Sequence, residues 1–187
     1  MNKDLDKRLC DNYPLIFAER HGNPIDTAMC WGFECGGGWF TLIDSLCVAI
    51  QNHIDATAVQ NKNDSEYNEM ATALKAGDDT LFRKHYQSWI DSKQAFDQKF
   101  VEERRWDVLE TAQRHVTAIC PQVVALQVKE KYGGLRFYYT GGDDVIEGMV
   151  SLAETLSFRT CEICGSPGKP RRDGWVRTLC DSHAKDQ

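Results

Sequence analysis

Cys161-x2-Cys164, fifteen intervening residues and Cys180-x2-His183 form the pattern in this chain with the most definite chemistry. A tetrahedral zinc ion takes four thiolate or imidazole ligands at about 2.0–2.3 Å, and a Cys-x2-Cys turn brings two thiolates to one point while the backbone reverses. Cys164-Gly165 has the form of a tight knuckle, and residues 174–179 read as a strand leading to the second ligand pair, a treble-clef-like order. Cys161, Cys164, Cys180 and His183 are therefore the expected ligands of one Zn2+. Four protein ligands close the coordination sphere, so the expected role of the metal is structural, folding a knuckle at 158–187.

A second candidate is the loop Cys35-Gly36-Gly37-Gly38, which leads into a helix expected from near Trp39. Free N–H groups at a helix start attract anions and lower a thiol pKa, so the loop could hold a phosphate or activate Cys35. It lacks the Lys-Ser/Thr of a P-loop and the spacing of a dinucleotide fingerprint, and a plain turn against the core is the preferred reading. Cys30 and Cys35, with Cys47 or His21, are an alternative second metal set without a matching ligand pair. Cys10 and Cys120 read as core thiols. His-Glu-x-x-His, Gly-x-Ser-x-Gly and Walker sequences do not occur. His53, His85 and His115 fall in helical stretches, and Asp78-Asp79 and Asp143-Asp144, each beside glycine, read as helix caps.

Two basic surfaces remain. Lys169, Arg171, Arg172 and Arg177 surround Trp175, a combination able to grip phosphate or a base, or simply a solvated zinc loop with one packed Trp. Residues 158–187 hold six Lys and Arg against four Asp and Glu; that net of +2, set against −6 overall, leaves −8 for 1–157. Lys129, Lys131, Arg136 and Tyr138 share the outer face of an expected β-hairpin, either a contact surface for an anionic partner or an ordinary wet sheet face. Glu130 has the opposite parity and needs a partner such as Arg136, or a bulge that turns it outward.

The elements that position these residues follow from periodicity. Leu5, Leu9, Tyr13 and Phe17 give a short opening helix interrupted by Pro14. Phe40, Ile43, Cys47, Ile50 and Ile54 form one apolar helix stripe. Residues 60–120 read as a polar helical hairpin, its last stripe running through Val101, Val108, Ala112, Val116 and Ile119 to Pro121. From Val123 the pattern alternates, Gly133-Gly134 supplies a turn, and Leu135, Phe137 and Tyr139 continue a returning strand. A helix after Asp143-Asp144 is expected to face Val145, Met149, Leu152 and Leu156 inward. The fold class is α+β: a domain at 1–157 with a helical N-terminal region and a β-hairpin packed on helices, followed by the knuckle.

Length and composition set the bounds. The chain has 187 residues, 42% hydrophobic and 27% charged, which is a globular composition. The net charge of −6 disfavours general nucleic-acid or anionic-membrane binding. No apolar run approaches a bilayer span, and MNKDLDKRLC is not a secretory signal, so a cytoplasmic location is expected.

Three segments carry a resemblance: CWGFECGGGWFTLIDSLC (30–47), LQVKEKYGGLRFYYTGG (126–142) and CEICGSPGKPRRDGWVRTLCDSH (161–183). Together they resemble a family of small proteins carried by bacteriophages and prophages, to which no reaction is attached. What the resemblance implies is a phage setting inside a host cell. The terminal segment also resembles the zinc finger of short regulators that enter the secondary channel of RNA polymerase, where Cys-Glu-x-Cys-Gly opens the finger. The expected function is that of a non-enzymatic accessory protein binding a host macromolecule, in the first place a protein. The alternatives are a nucleic-acid- or polymerase-binding regulator using the basic zinc loop, and a nucleotide-binding protein or enzyme using Cys35 and its glycines.

Overall fold

A computed structural model describes residues 1–92, 94–172 and 174–185. The chain mixes helix and strand and divides into two compact units, 1–55 with 120–187, and 56–119. Residues 158–187 fall within the larger unit.

The larger unit is built on a three-stranded sheet in the order β1 (Phe33–Glu34), β2 (Val124–Lys131), β3 (Gly134–Thr140). β1 runs parallel to β2, and β2 pairs antiparallel with β3. A bulge between Ala125 and Gln127 resets the alternation, so Ala125 and Val128 both reach the core while Leu126 does not. Beside the sheet lie α1 (Lys3–Asn12), the first part of α2 (Phe40–Lys75) and α6 (Asp144–Ser157). Ile43, Cys47, Ile50 and Ile54 form the buried stripe of α2 and join Leu9, Ile16, Phe17, Trp39, Val128, Leu135 and Phe137 in one core.

Each exposed edge of the sheet has its own cover. Ala125 N–H donates to the Ile16 carbonyl at 2.7 Å and the Thr27 hydroxyl donates to the Leu126 carbonyl at 3.1 Å, where β1 is too short to reach. On the far side, Leu135 N–H donates to Ser157 Oγ at 2.8 Å and Phe137 N–H to Glu154 Oε1 at 3.0 Å, so side chains of α6 complete the ladder of β3. This pins the face of α6: Ile146, Val150, Ala153 and Ser157 are buried, whereas Val145, Leu152 and Leu156 are exposed, one position away from the face expected from periodicity. Asp143 caps α6 through Val145 N–H and Ile146 N–H, as its place beside Gly142 predicts.

The hairpin turn is Tyr132-Gly133 rather than Gly133-Gly134. Both residues have positive φ, 56° and 83°, and Lys131 pairs with Gly134 across the turn. A primed turn matches the twist of the strands. Gly134 is required for a different reason, since a Cβ there would collide with the Phe158 ring.

The smaller unit has its own core, Met70, Ala71, Leu74, Phe82 and Val108, packed by Tyr67, Tyr86, Val101 and Leu109. It comprises the second part of α2, α3 (Thr80–His85), α4 (Gln87–Ile90), α5 (Ala95–Glu110) and an irregular segment after α5. The helix expected to continue to Ile119 stops at Glu110. Beyond it the backbone runs along α2, held by a ladder of polar side chains at helical spacing. Asn61 Nδ2 donates to the Thr117 carbonyl at 2.7 Å, Asn68 brackets Arg114 through both its backbone groups, and Lys75 Nζ donates to the Thr111 carbonyl at 2.8 Å. Asp64, itself buried, accepts from the Thr117 hydroxyl at 2.9 Å and the Thr117 N–H at 3.3 Å. The polar composition of 60–75 thus serves a neighbouring strand of backbone.

Burial alone would raise the Asp64 carboxyl pKa, but hydrogen bonds from Thr117 and Gln60 outweigh it and hold the pKa below its ordinary value of 3.8. A carboxyl depressed in the folded state stabilises above its unfolded pKa, and that stability is lost as the pH falls through the folded one. Asp64→Asn should therefore be less stable than wild type at pH 7, and the two should converge as the pH drops below about 4. Urea melts across this range test it; parallel pH profiles for the two proteins would remove Asp64 from the account.

Candidate metal centre

The knuckle begins where the chain leaves α6. Cys161 N–H donates to the Ser166 carbonyl at 2.7 Å and Gly165 N–H to the Cys161 carbonyl at 2.8 Å, with Gly165 at φ 78°, which closes the turn that presents Cys161 and Cys164 together. β4 (Lys169–Arg171) and β5 (Arg177–Leu179) then pair antiparallel, and a series of turns after β5 carries Cys180 and His183. His183 Nδ1 lies 3.2 Å from Cys180 Sγ and 3.5 Å from Cys161 Sγ, and Cys164 Sγ lies 3.9 Å from Cys180 Sγ. All four ligand atoms fall within 4.8 Å of one another. Ligand atoms on a zinc tetrahedron stand about 3.5–3.8 Å apart, so the group fits the ion. At Cys161, burial pushes the thiol pKa up, but the N–H groups of Cys180, Cys164 and Ile163 outweigh it and bring it to about 6. These donors favour the thiolate that a metal needs.

The glycine-rich loop is the seat of this knuckle. Gly36 N–H donates to Glu162 Oε1 and Gly38 N–H to the Glu162 carbonyl, both at 2.8 Å. A Cβ at Gly38 would sit 2.6 Å from the Cys164 nitrogen and 2.5 Å from that of Gly165, so backbone meets backbone here. The fully buried Trp39 adds a bond from its indole N–H to the Thr160 carbonyl at 2.8 Å. The N–H groups of Gly36 and Gly38 that would have cradled an anion are thus engaged within the protein. Cys35 is buried, and that burial pushes its thiol to about 12, the opposite of an activated nucleophile. Gly37 lies against Leu5. Among the described residues, Cys30, Cys35, Cys47 and His21 do not gather into a ligand group.

The hairpin tip docks on the knuckle as well. Thr178 Oγ1 donates to the Gly133 carbonyl at 2.6 Å, and Glu130, the residue of inward parity, accepts from Gly133 N–H at 2.6 Å and from the Trp175 indole at 3.2 Å. The partner anticipated for it, Arg136, instead pairs with Glu154 at 3.5 Å and lies over the Phe158 ring. Lys129 pairs across the strands with Arg136 and rests over the Tyr138 ring, and Lys131 rests over Tyr132. In the zinc loop, Lys169 and Arg171 both pair with Asp181, and Arg177 pairs with buried Glu162 at 3.3 Å. Among the described residues, Lys129, Lys131 and Arg172 are the cations of these two sets that make no ion pair.

Between the knuckle and the helices runs a groove of about 590 Å³, lined by apolar Leu5, Phe40, Leu42, Leu156 and Ile163, by polar Thr41, Ser45 and Thr160, and by the Cys164-Gly165 turn. Leu152, one helical turn before Leu156 on α6, is exposed as well. Periodicity missed this surface because it assigned Leu152 and Leu156 to the core.

One cluster was invisible in the sequence. His53 of α2, Cys120 and Asp143 place their ligand atoms within 4.8 Å of one another, with His53 Nε2 2.8 Å from Asp143 Oδ2. Cys120 is the buried core thiol expected, and it also stands beside His53 and Asp143. The three residues lie far apart along the chain, so no spacing rule joins them.

Zinc on the four ligands predicts that stripping it with a chelator, or changing Cys161 to Ser, lowers stability by about 3 kcal/mol or more, a fall in Tm of at least roughly 6 °C. Equal melting of the metal-loaded and stripped protein would count against a metal at this position. Gly38→Ala replaces no ligand, but its Cβ would press on the backbone of Cys161 and Cys164, and overpacking of about 1–3 kcal/mol should weaken zinc retention. Chelator competition against wild type measures it, and unchanged retention would show that the glycine seat does not support the knuckle.

No protein-family model matches the chain, and neither a curated protein nor a solved structure does.

Proposed function

We propose that the protein is a binding module whose zinc ion is structural, clipping a treble-clef-like knuckle into place, and that it engages a protein partner through the groove this knuckle walls. The observation that carries the reading is the groove itself. Leu156 and Ile163 line it and are exposed, and Ile163 belongs to the Cys-x2-Cys turn. Contiguous exposed apolar side chains around a concavity are the usual mark of a site that takes an apolar anchor from a partner. Four closed ligands give the metal no open position for substrate, which supports a structural role. In the phage setting implied by the sequence resemblance, the partner is a host protein.

A protein is favoured over nucleic acid because Arg136, Lys169, Arg171 and Arg177 already pair with carboxylates, which leaves few cations for phosphate. The nucleic-acid reading retains one specific support, the exposed pair Tyr132 and Trp175, 72% and 75% accessible, beside Lys131.

Affinity capture from host lysate separates the two. Ile163→Asp and Leu156→Asp should abolish recovery of a specific protein by at least tenfold while zinc content stays unchanged, and Tyr132→Ala with Trp175→Ala should leave recovery intact. The reverse pattern, or salt-sensitive recovery of nucleic acid lost in the aromatic double variant, would transfer the function to the hairpin tip.

A further inference from the structure

We propose that His53, Cys120 and Asp143 form a second divalent-metal site, suited to zinc and to ions with similar preferences, with a fourth position open to water. The site is independent of the knuckle and of the groove.

The three side chains bring three different ligand types from three parts of the fold: an imidazole from α2, a thiol from the segment that enters β2, and a carboxylate from the start of α6. Borderline metals such as zinc accept this mixture, whereas calcium and magnesium select oxygen alone. The backbone sets two of the ligands side by side, because Gly142 N–H donates to the Pro121 carbonyl at 3.0 Å and thereby fixes the residue after Cys120 to the residue before Asp143.

Asp143 is oriented for the role. Its Oδ1 accepts from Val145 N–H and Ile146 N–H, both at 3.1 Å, which locks the carboxylate and aims Oδ2 at His53. Such an outer contact fixes a ligand in the way metal sites commonly do. The 2.8 Å between His53 Nε2 and Asp143 Oδ2 needs to open by only about 0.5 Å to match ligand separations on a tetrahedron. Cys120 forms the buried floor, while the Asp143 side chain is 36% accessible, so the remaining coordination position faces solvent. Three protein ligands and one water is the arrangement of open zinc sites, in contrast to the closed Cys3His group.

The test uses Co2+ added to the 187-residue chain already loaded with one equivalent of zinc, so that the tighter knuckle site is filled. Wild type should bind one further metal per chain and show a thiolate-to-cobalt charge-transfer band together with tetrahedral ligand-field bands. Cys120→Ser should lose the charge-transfer band. Asp143→Asn retains a good helix cap, since Asn caps as well as Asp, and should weaken binding at least tenfold while the metal-free protein still folds. His53→Ala should do the same to binding. Absence of the band in wild type, a band that persists in Cys120→Ser, or variants that bind the second metal as tightly as wild type would overturn the site.

Discussion

The close meeting of Gly36–Gly38 with Cys161–Gly165 is the constraint on which the larger unit depends. Side chains are excluded there by backbone on both sides, and Glu162 supplies the bonds through its carbonyl and its carboxylate. Glu162 is itself buried, so its charge requires the Gly36 N–H and the Arg177 guanidinium that surround it. The same contact starts α2 at Phe40 and sets Trp39 beneath the knuckle. It also brings the Cys-x2-Cys turn over Phe40 and Leu42 so that a groove exists between them. Ligand spacing, helix start and surface shape are one arrangement seen from three sides.

A second theme is the use of side chains to finish backbone hydrogen bonding where regular structure stops. Ser157 and Glu154 complete the edge of β3, Thr27 serves β2, Glu130 closes the hairpin turn, and the Asn61, Asp64, Asn68 and Lys75 series along α2 holds the segment after α5. Buried peptide groups need partners, and a chain with so short a β1 must find them elsewhere. Residues that looked like solvated surface in composition are in several cases structural donors and acceptors.

This explains what could and could not be read from the residues. The ligand pattern at 161–183 was legible because metal geometry dictates spacing, and the α2 stripe because Ile43, Cys47, Ile50 and Ile54 offer only one apolar face. α6 misled because Val145, Leu152 and Leu156 form an equally periodic stripe one position from the buried one, and the choice was made by polar Ser157 and Glu154 reaching β3. The extended run after Glu110 was hidden because the groups that hold it lie on another element. The bulge after Ala125 likewise broke the alternation at a residue with no glycine to mark it. His53, Cys120 and Asp143 meet only through the tertiary fold.

The seating of Gly36 on Glu162 also has a kinetic side. The two residues are 126 positions apart, and Trp39 meets Thr160 across 121. At synthesis rates of about 5–20 residues per second, the ribosome takes roughly 6–25 s to make the seat's counterpart after the seat itself. During that interval the core around Trp39 has no lid, while the contacts of 56–119 are local and complete themselves earlier. The smaller unit is thus the first part of the nascent chain able to fold, and closure of the larger one waits for the knuckle.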